Sequence, residues 1–120
     1  MSGPERVWRE ALADGRLMLP REIMSGRCFF PPRVASPANG GAWEWVEASG
    51  RGTVYSTSVV HPKPPEVAFN VALVELKEGP RLMSRIDGVR PEDVTIGMKV
   101  VARIDRDGAE PLLLFVPDGH

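Results

Sequence analysis

The chain has a single cysteine, Cys28, among its 120 residues. One thiol cannot form an internal disulfide, and it cannot supply the four ligands that close a structural zinc site. A chain with so little cysteine is typical of a reducing compartment, so we expect a cytoplasmic location.

Net charge and long apolar runs are also lacking. The formal net charge is −1, which offers no bulk attraction to nucleic acid or to an anionic membrane surface. No apolar stretch approaches the length that spans a bilayer, and the first residues lack the apolar core of a signal peptide. We therefore expect neither nucleic acid nor membrane as a partner.

Glycine and proline are abundant, with twelve residues of each. This composition favours short strands joined by turns over long helices. One short helix is still predicted near the N terminus, between Pro4 in its first turn and Gly15 as its stop, with Trp8 as the anchor. Its apolar residues recur at helical spacing, and they are Val7, Trp8, Ala11 and Leu12.

Short strand-like runs fill the chain from Trp43 onward, and Pro91-Glu92-Asp93 predicts a single helical turn among them. Five or six such strands predict a small closed or partly closed barrel. The runs are residues 43–47, 53–60, 69–76, 81–86, 98–104 and 111–116. We expect an N-terminal helix in residues 1–19, an extended linker or collapsed ribbon without periodicity in residues 20–42, and the barrel in residues 43–120.

Several motifs occur in a distinctive order: Trp8-x-x-Ala11-Leu12-x-x-Gly15-x-Leu17, Phe30-Pro31-Pro32-Arg33, residues 49–56, Val59-Val60-His61, residues 72–79 and Ile96-Gly97-Met98-x-Val100. In this order they resemble OB-fold proteins with an N-terminal helix and a rubredoxin-like zinc ribbon, which accompany thiolases and acyl-CoA hydratases. The resemblance extends over nearly the whole chain. It implies a mainly β fold: a small OB-fold barrel preceded by a helix and a zinc-ribbon-like segment.

The ribbon departs from that family, because its four cysteine positions would fall on Glu22, Ser25, Ser36 and Asn39. Carboxylate, hydroxyl and amide oxygens suit a structural zinc site poorly. We therefore expect no metal and no other cofactor.

The resemblance implies a non-catalytic accessory subunit. Such a subunit would associate with a thiolase-fold or acyl-CoA hydratase-type enzyme as a hetero-oligomer and would help to bind or position acyl-CoA. The alternative is a single-stranded nucleic-acid-binding OB-fold module, which needs a positive groove and stacking aromatic residues. A net charge of −1, and only Tyr55, Phe69 and Phe115 as aromatic residues of the later strands, weaken this alternative. A free-standing enzyme is not indicated either, because Cys28 and His61 have no third group to orient them as nucleophile and base.

Aromatic residues provide candidate contacts for a partner. Phe29 and Phe30 are adjacent in an extended segment stiffened by Pro31, so their side chains should point to opposite sides. We expect one ring to fill the core of the segment and the other to anchor a partner, and the alternative is that both rings fill the core. Trp43 and Trp45 should share one face of a strand, which lies either under the helix or against a partner.

Arginine residues provide candidate contacts for acyl-CoA, because a guanidinium matches phosphate geometry. Arg81 and Arg85 share one strand face, and Lys99 and Arg103 share another. The candidates for acyl-CoA or interface contact are Phe29, Phe30, Pro31, Arg33, Arg51, Arg81 and Arg85. The alternative for each arginine is an ordinary solvated surface with acidic partners.

Overall fold

A computed structural model describes residues 3–32 and 42–119 as one helix, a two-stranded sheet and a five-stranded sheet. The elements are α1 (Pro4–Ala13), β1 (Met18–Glu22), β2 (Trp43–Glu47), β3 (Arg51–Val60), β4 (Phe69–Leu76), β5 (Arg81–Ser84), β6 (Lys99–Asp105) and β7 (Leu112–Pro117), with a 3₁₀ turn at Pro91–Asp93. Within the described ranges, no helix has the length and apolarity needed to cross a membrane.

The N-terminal helix is confirmed, and it ends as the sequence predicts. Gly15 adopts φ 79°, a left-handed conformation that favours glycine. Its N–H donates to the carbonyl of Leu12, which is buried. Val7, however, is 44% exposed. At 3.6 residues per turn, Val7 lies at the edge of the apolar arc farthest from Leu12.

Strand β1 was not expected, because a proline interrupts it. It pairs antiparallel with β2, with Leu19 opposite Val46 and Pro20 opposite Trp45. The carbonyl of Pro20 accepts a hydrogen bond from the N–H of Phe29, on the side away from β2. The missing N–H of Pro20 points to that same side, so it removes no bond from the β1–β2 ladder. β1 therefore crosses position 19, where the sequence analysis places the end of the N-terminal helical region.

The larger sheet has the strand order β5-β4-β3-β6-β7, and all of its neighbouring strands are antiparallel. A parallel bridge between Ile86 and Phe115 joins its two edges. The Phe115 N–H donates to the Arg85 carbonyl at 3.0 Å, and the Asp87 N–H donates to the Phe115 carbonyl at 2.7 Å. This is a partly closed OB-fold barrel, as predicted.

The barrel core continues into the small sheet. Leu19 of β1 is fully buried in the same apolar cluster as Val54, Val74 and Phe115. Val46, which lies opposite Leu19 on β2, packs against that cluster. The small sheet is therefore fixed to the barrel by one of its two faces.

Asn70 is the buried polar residue that supports the closure of the barrel, and it is only 2% exposed. Its Nδ2 donates to the carbonyl of Ile86 at 2.7 Å, and its Oδ1 accepts the N–H of Ile86 at 2.8 Å. Both backbone groups of Ile86 are thus satisfied from β4, next to the bridge with Phe115.

We expect Asn70→Ala to lower the free energy of unfolding by about 2–4 kcal/mol, because it leaves two buried backbone groups without partners. Urea denaturation measures the change. Thr57→Val is the matched control, because the Thr57 hydroxyl is buried without a hydrogen-bond partner in the described ranges. This control should be neutral or stabilising. An Asn70→Ala variant within about 0.5 kcal/mol of the parent would contradict the assignment.

Candidate functional site

A cleft of about 490 Å³ separates the segment that follows β1 from the turn between β4 and β5. We call it the junction cleft. The segment contributes Arg27, Cys28, Phe29 and Phe30, the turn contributes Glu78, Gly79 and Pro80, and β5 contributes its first residue, Arg81. The structure therefore brings together three residues that the sequence predicts as contacts: Phe29, Phe30 and Arg81.

The two adjacent phenylalanine rings make different contacts. Phe30 packs against the barrel core and lies 5.3 Å from the Trp8 ring of α1, measured between ring centroids. Phe29 lies edge-on to Trp43 at 5.9 Å, and Trp43 lies edge-on to Trp45 at 5.0 Å. Phe30 is thus the core-facing ring, and it is the ring on which α1 docks.

Phe29, Trp43 and Trp45 form what we call the aromatic cluster. Successive side chains of a strand point to opposite faces, so Trp45 lies on the face opposite its neighbour Val46. Val46 faces the barrel core, and the aromatic cluster is therefore on the face that points away from the barrel. All three of its residues are half-buried. Among the ring contacts of the described residues, Trp8 of α1 meets Phe30 and not the tryptophan pair.

The turn after β1 is closed by hydrogen bonds. The hydroxyl of Ser25 donates to Glu22 Oε1, and the N–H of Arg27 donates to the Ser25 hydroxyl at 3.2 Å. The Gly26 N–H donates to the Glu22 carbonyl at 2.8 Å. Glu22 is 5% exposed. Two of the four positions that the resemblance aligns with zinc ligands are thus joined directly by a carboxylate–hydroxyl bond.

Among the described residues, no group of three or more His, Cys, Asp or Glu side chains is arranged to hold a metal ion. The other two aligned positions, Ser36 and Asn39, lie outside the described residues, as does Arg33.

Cys28 has the electrostatic environment of an unreactive thiol. Burial is the main cause that raises its pKa above the ordinary value, and the carboxylate of Glu78 raises it further, while Arg21 lowers it. A raised pKa disfavours the thiolate, which is the nucleophilic form. His61 is exposed in the loop after β3, and no hydrogen bond joins it to Cys28 in the described ranges.

The arginines are distributed over separate surfaces. Arg81 donates to the carboxylate of Glu75 at 2.9 Å, and its guanidinium carbon lies 3.7 Å from the centroid of the Tyr55 ring. Arg103 pairs with Asp87, as the solvated-surface alternative predicts. Arg51 lies in a second cleft, and Arg85 borders an apolar groove of about 270 Å³ between β5 and β7. Pro31 is exposed beside the junction cleft residue Phe30.

Sequence reasoning missed Glu78, because Glu78-Gly79-Pro80 indicates only a turn. Its Oε2 accepts the N–H of Ser49 at 2.9 Å, and its Oε1 is buried without a hydrogen-bond partner in the described ranges. The glutamate therefore connects the start of the barrel to the junction cleft. Its position immediately before a Gly-Pro turn is the only sequence signal, and it does not identify the distant partner.

The chain is similar to several known proteins. A family model described as the C-terminal OB-fold domain of ChsH2 matches residues 45–105. The chain is 34% identical over 119 residues to a DUF35 domain-containing scaffold protein of Methanocaldococcus jannaschii, covering 92% of this chain and 84% of that protein.

It is also 42% identical over 99 residues to a probable enoyl-CoA hydratase alpha subunit of Thermomonospora curvata. That match covers 78% of this chain but only 31% of the hydratase subunit, so the chain spans about a third of that relative's length. Among solved structures, a chain of the Ltp2-ChsH2(DUF35) aldolase superposes with a TM-score of 0.85 and 37% identity, covering 98% of this chain and 96% of that one.

We expect the purified protein to contain far less than one equivalent of zinc, because the positions aligned with zinc ligands carry oxygen and amide side chains. Elemental analysis of protein prepared without added metal checks this, with the same protein denatured and dialysed as the blank. A stoichiometric zinc ion that is released only on unfolding would contradict the prediction.

Proposed function

We propose that the chain, which belongs to the DUF35 family, is a non-catalytic accessory unit of an acyl-CoA-processing complex. The same family includes the C-terminal OB-fold domain of ChsH2. It associates with a thiolase-type or acyl-CoA hydratase-type enzyme as a hetero-oligomer. In that complex it helps to bind or position the acyl-CoA.

The observation that carries this proposal is the aromatic cluster on the barrel-distal face of the small sheet. Trp43 and Phe29 meet there beside the junction cleft, and the opposite face is fixed to the barrel by Leu19. Aromatic residues held rigidly at a surface are the usual anchors of protein interfaces. A rigid anchor also loses little conformational entropy when a partner binds.

The names of the relatives support the same proposal. The Methanocaldococcus relative is described as a scaffold protein, and the similar solved structure is described as the Ltp2-ChsH2(DUF35) aldolase. The Thermomonospora relative carries a hydratase alpha subunit name. The partner type and the acyl-CoA are inferred for this chain from these names together with the geometry of the cleft.

The environments of Cys28 and His61 fit an accessory role better than a catalytic one. Cys28 is held as a neutral thiol, and His61 lies in a loop without a bond to it. A half-buried neutral thiol also suits the reducing cytoplasm, which we propose as the location. Arg33 remains a proposed contact for a phosphate or carboxylate of the bound acyl-CoA.

A nucleic-acid-binding role has less support. Tyr55 is 48% exposed on the barrel face, but its ring is already covered on one side by the guanidinium of Arg81. A single covered ring is not a stacking platform for successive bases.

Truncation of the two phenylalanines separates the interface from the core. Phe29→Ala should weaken binding to the partner enzyme by about 2 kcal/mol or more, the scale of an interface anchor, with little change in melting temperature. Phe30→Ala should lower the melting temperature, because its ring packs on the barrel core and on Trp8. Calorimetric titration of each folded variant with a co-expressed thiolase-type or hydratase-type enzyme measures the affinity.

Val67→Ala is the matched control for these truncations, because Val67 is 80% exposed in the loop between β3 and β4. It should leave both affinity and stability unchanged. A Phe29→Ala variant as stable as the parent and with the parent's affinity would place the interface elsewhere.

The double variant Cys28→Ser/His61→Ala should leave turnover of the assembled complex largely unchanged, because neither residue is arranged for catalysis. Steady-state kinetics of the complex, with assembly verified by gel filtration, gives the comparison. A loss of about a thousandfold with the complex intact, typical of removing a catalytic group, would show that the chain takes part in the chemistry.

A further inference from the structure

A second cleft, of about 380 Å³, lies at the end of the barrel where β3 and β6 begin and β4 ends. Three cationic residues line it: Arg51 at the start of β3, Lys77 directly after β4, and Lys99 at the start of β6. These strands are neighbours in the sheet, in the order β4-β3-β6. Residues that are far apart in the sequence therefore converge on one small surface, which we call the cationic cleft.

The backbone of the cationic cleft is rigidly held. The Lys77 N–H donates to the Arg51 carbonyl at 2.9 Å, and the Asp118 N–H donates to the Lys99 carbonyl at 2.9 Å. Between them, Gly52 is buried so close to β4 that an added Cβ would lie 2.7 Å from Val74 Cγ1. Only glycine permits this approach of the two strands, which fixes the positions from which the cations extend.

The cations of the cleft are poorly compensated. Lys99 Nζ donates to the neutral hydroxyl of Thr53 at 3.1 Å. Among the described residues, the side chains of Arg51 and Lys77 take part in no hydrogen bond or ion pair. These three cationic side chains are exposed. Each can therefore turn toward a ligand without first breaking a salt bridge.

Two carboxylates also line the cleft, and only one of them has a cation of its own. Glu75 is engaged by Arg81 at 2.9 Å. Asp118 forms no ion pair with the three cations in the described part of the chain. The cleft thus presents three cations to a single uncompensated carboxylate. A compact anion with several acceptor oxygens suits such a site, since charge-assisted hydrogen bonds from arginine and lysine recognise phosphate.

The cationic cleft and the junction cleft lie on either side of one turn. Lys77 lines the former, and the next residue, Glu78, lines the latter. We propose that Arg51, Lys77 and Lys99 form a phosphate-binding subsite, which holds a phosphate group of the acyl-CoA. The identity of this ligand rests on the proposed function, whereas the phosphate chemistry rests on the cleft alone.

The test titrates the purified chain with coenzyme A, 3′-dephospho-coenzyme A, pantetheine and inorganic phosphate, by calorimetry or ligand-observed NMR. Coenzyme A should bind, and pantetheine, which has no phosphate, should not. Arg51→Ala, Lys77→Ala and Lys99→Ala should each weaken coenzyme A binding about tenfold, the loss expected for one charge-assisted hydrogen bond. Added sodium chloride should weaken the binding of the parent.

Lys63→Ala is the matched control. Lys63 is an exposed lysine in the loop at the other end of β3, so the variant removes the same charge far from the cleft. It should bind coenzyme A as the parent does. Thermal melts of every variant verify that each is folded.

Preference for coenzyme A over its dephospho form would identify the 3′-phosphate as the bound group, and equal binding would identify the diphosphate; both support the subsite. Inorganic phosphate binding with the same loss in the variants would support a phosphate site that is not restricted to coenzyme A. The subsite is overturned if the parent binds no phosphorylated probe, or if Lys63→Ala weakens binding as much as the cleft variants. Tighter binding of a single-stranded oligonucleotide with the same loss in the variants would overturn it in favour of a nucleic-acid site.

Partner assembly, measured on the same variants, separates this inference from the proposed function. If the complex assembles and coenzyme A binding is insensitive to the three substitutions, the subsite is wrong and the accessory role stands. If no complex forms but each of the three substitutions weakens coenzyme A binding as predicted, the accessory role is wrong and the subsite stands.

Discussion

The insertion of Leu19 into the barrel core is the contact on which the candidate surfaces depend. This side chain of β1 has no exposed surface and packs with Val54, Val74 and Phe115 of the barrel. Burying a leucine contributes about 1.5–3 kcal/mol, which is substantial for a sheet of two strands that would be marginal alone. Because one face of that sheet is fixed in this way, its other face must carry Trp43 and Trp45 away from the barrel.

The same packing positions the segment that follows β1. Phe30 turns toward the barrel core and receives the Trp8 ring of α1, so the helix and the segment stabilise each other. Phe29 then lies on the opposite side, against Trp43. The β4–β5 turn divides the junction cleft, which Phe29 and Phe30 line, from the cationic cleft.

Regular strands were predictable from the sequence, because their signal is local. β2 and β4 have the predicted bounds, since one alternates and the other is a continuous apolar run between turns. β1 was missed because Pro20 argues against a strand. Its missing N–H would point away from β2, on the side where its carbonyl accepts the Phe29 N–H, so the β1–β2 ladder loses no bond. The cationic cleft was only partly predictable. The sequence analysis named Arg51 and Lys99, but Lys77 comes close to them only because β4 pairs with β3. The pairing of Glu78 with the Ser49 backbone is likewise a long-range contact with no local signal.

The bond between Ser25 and Glu22 changes what this part of the chain depends on in the cell. A turn closed by thiolates and zinc exists only while the metal is supplied and the thiols stay reduced. The bond between Ser25 and Glu22 requires neither a metal nor a reduced thiol, because both of its groups belong to the polypeptide itself. This bond can therefore form whenever residues 22–25 adopt their turn.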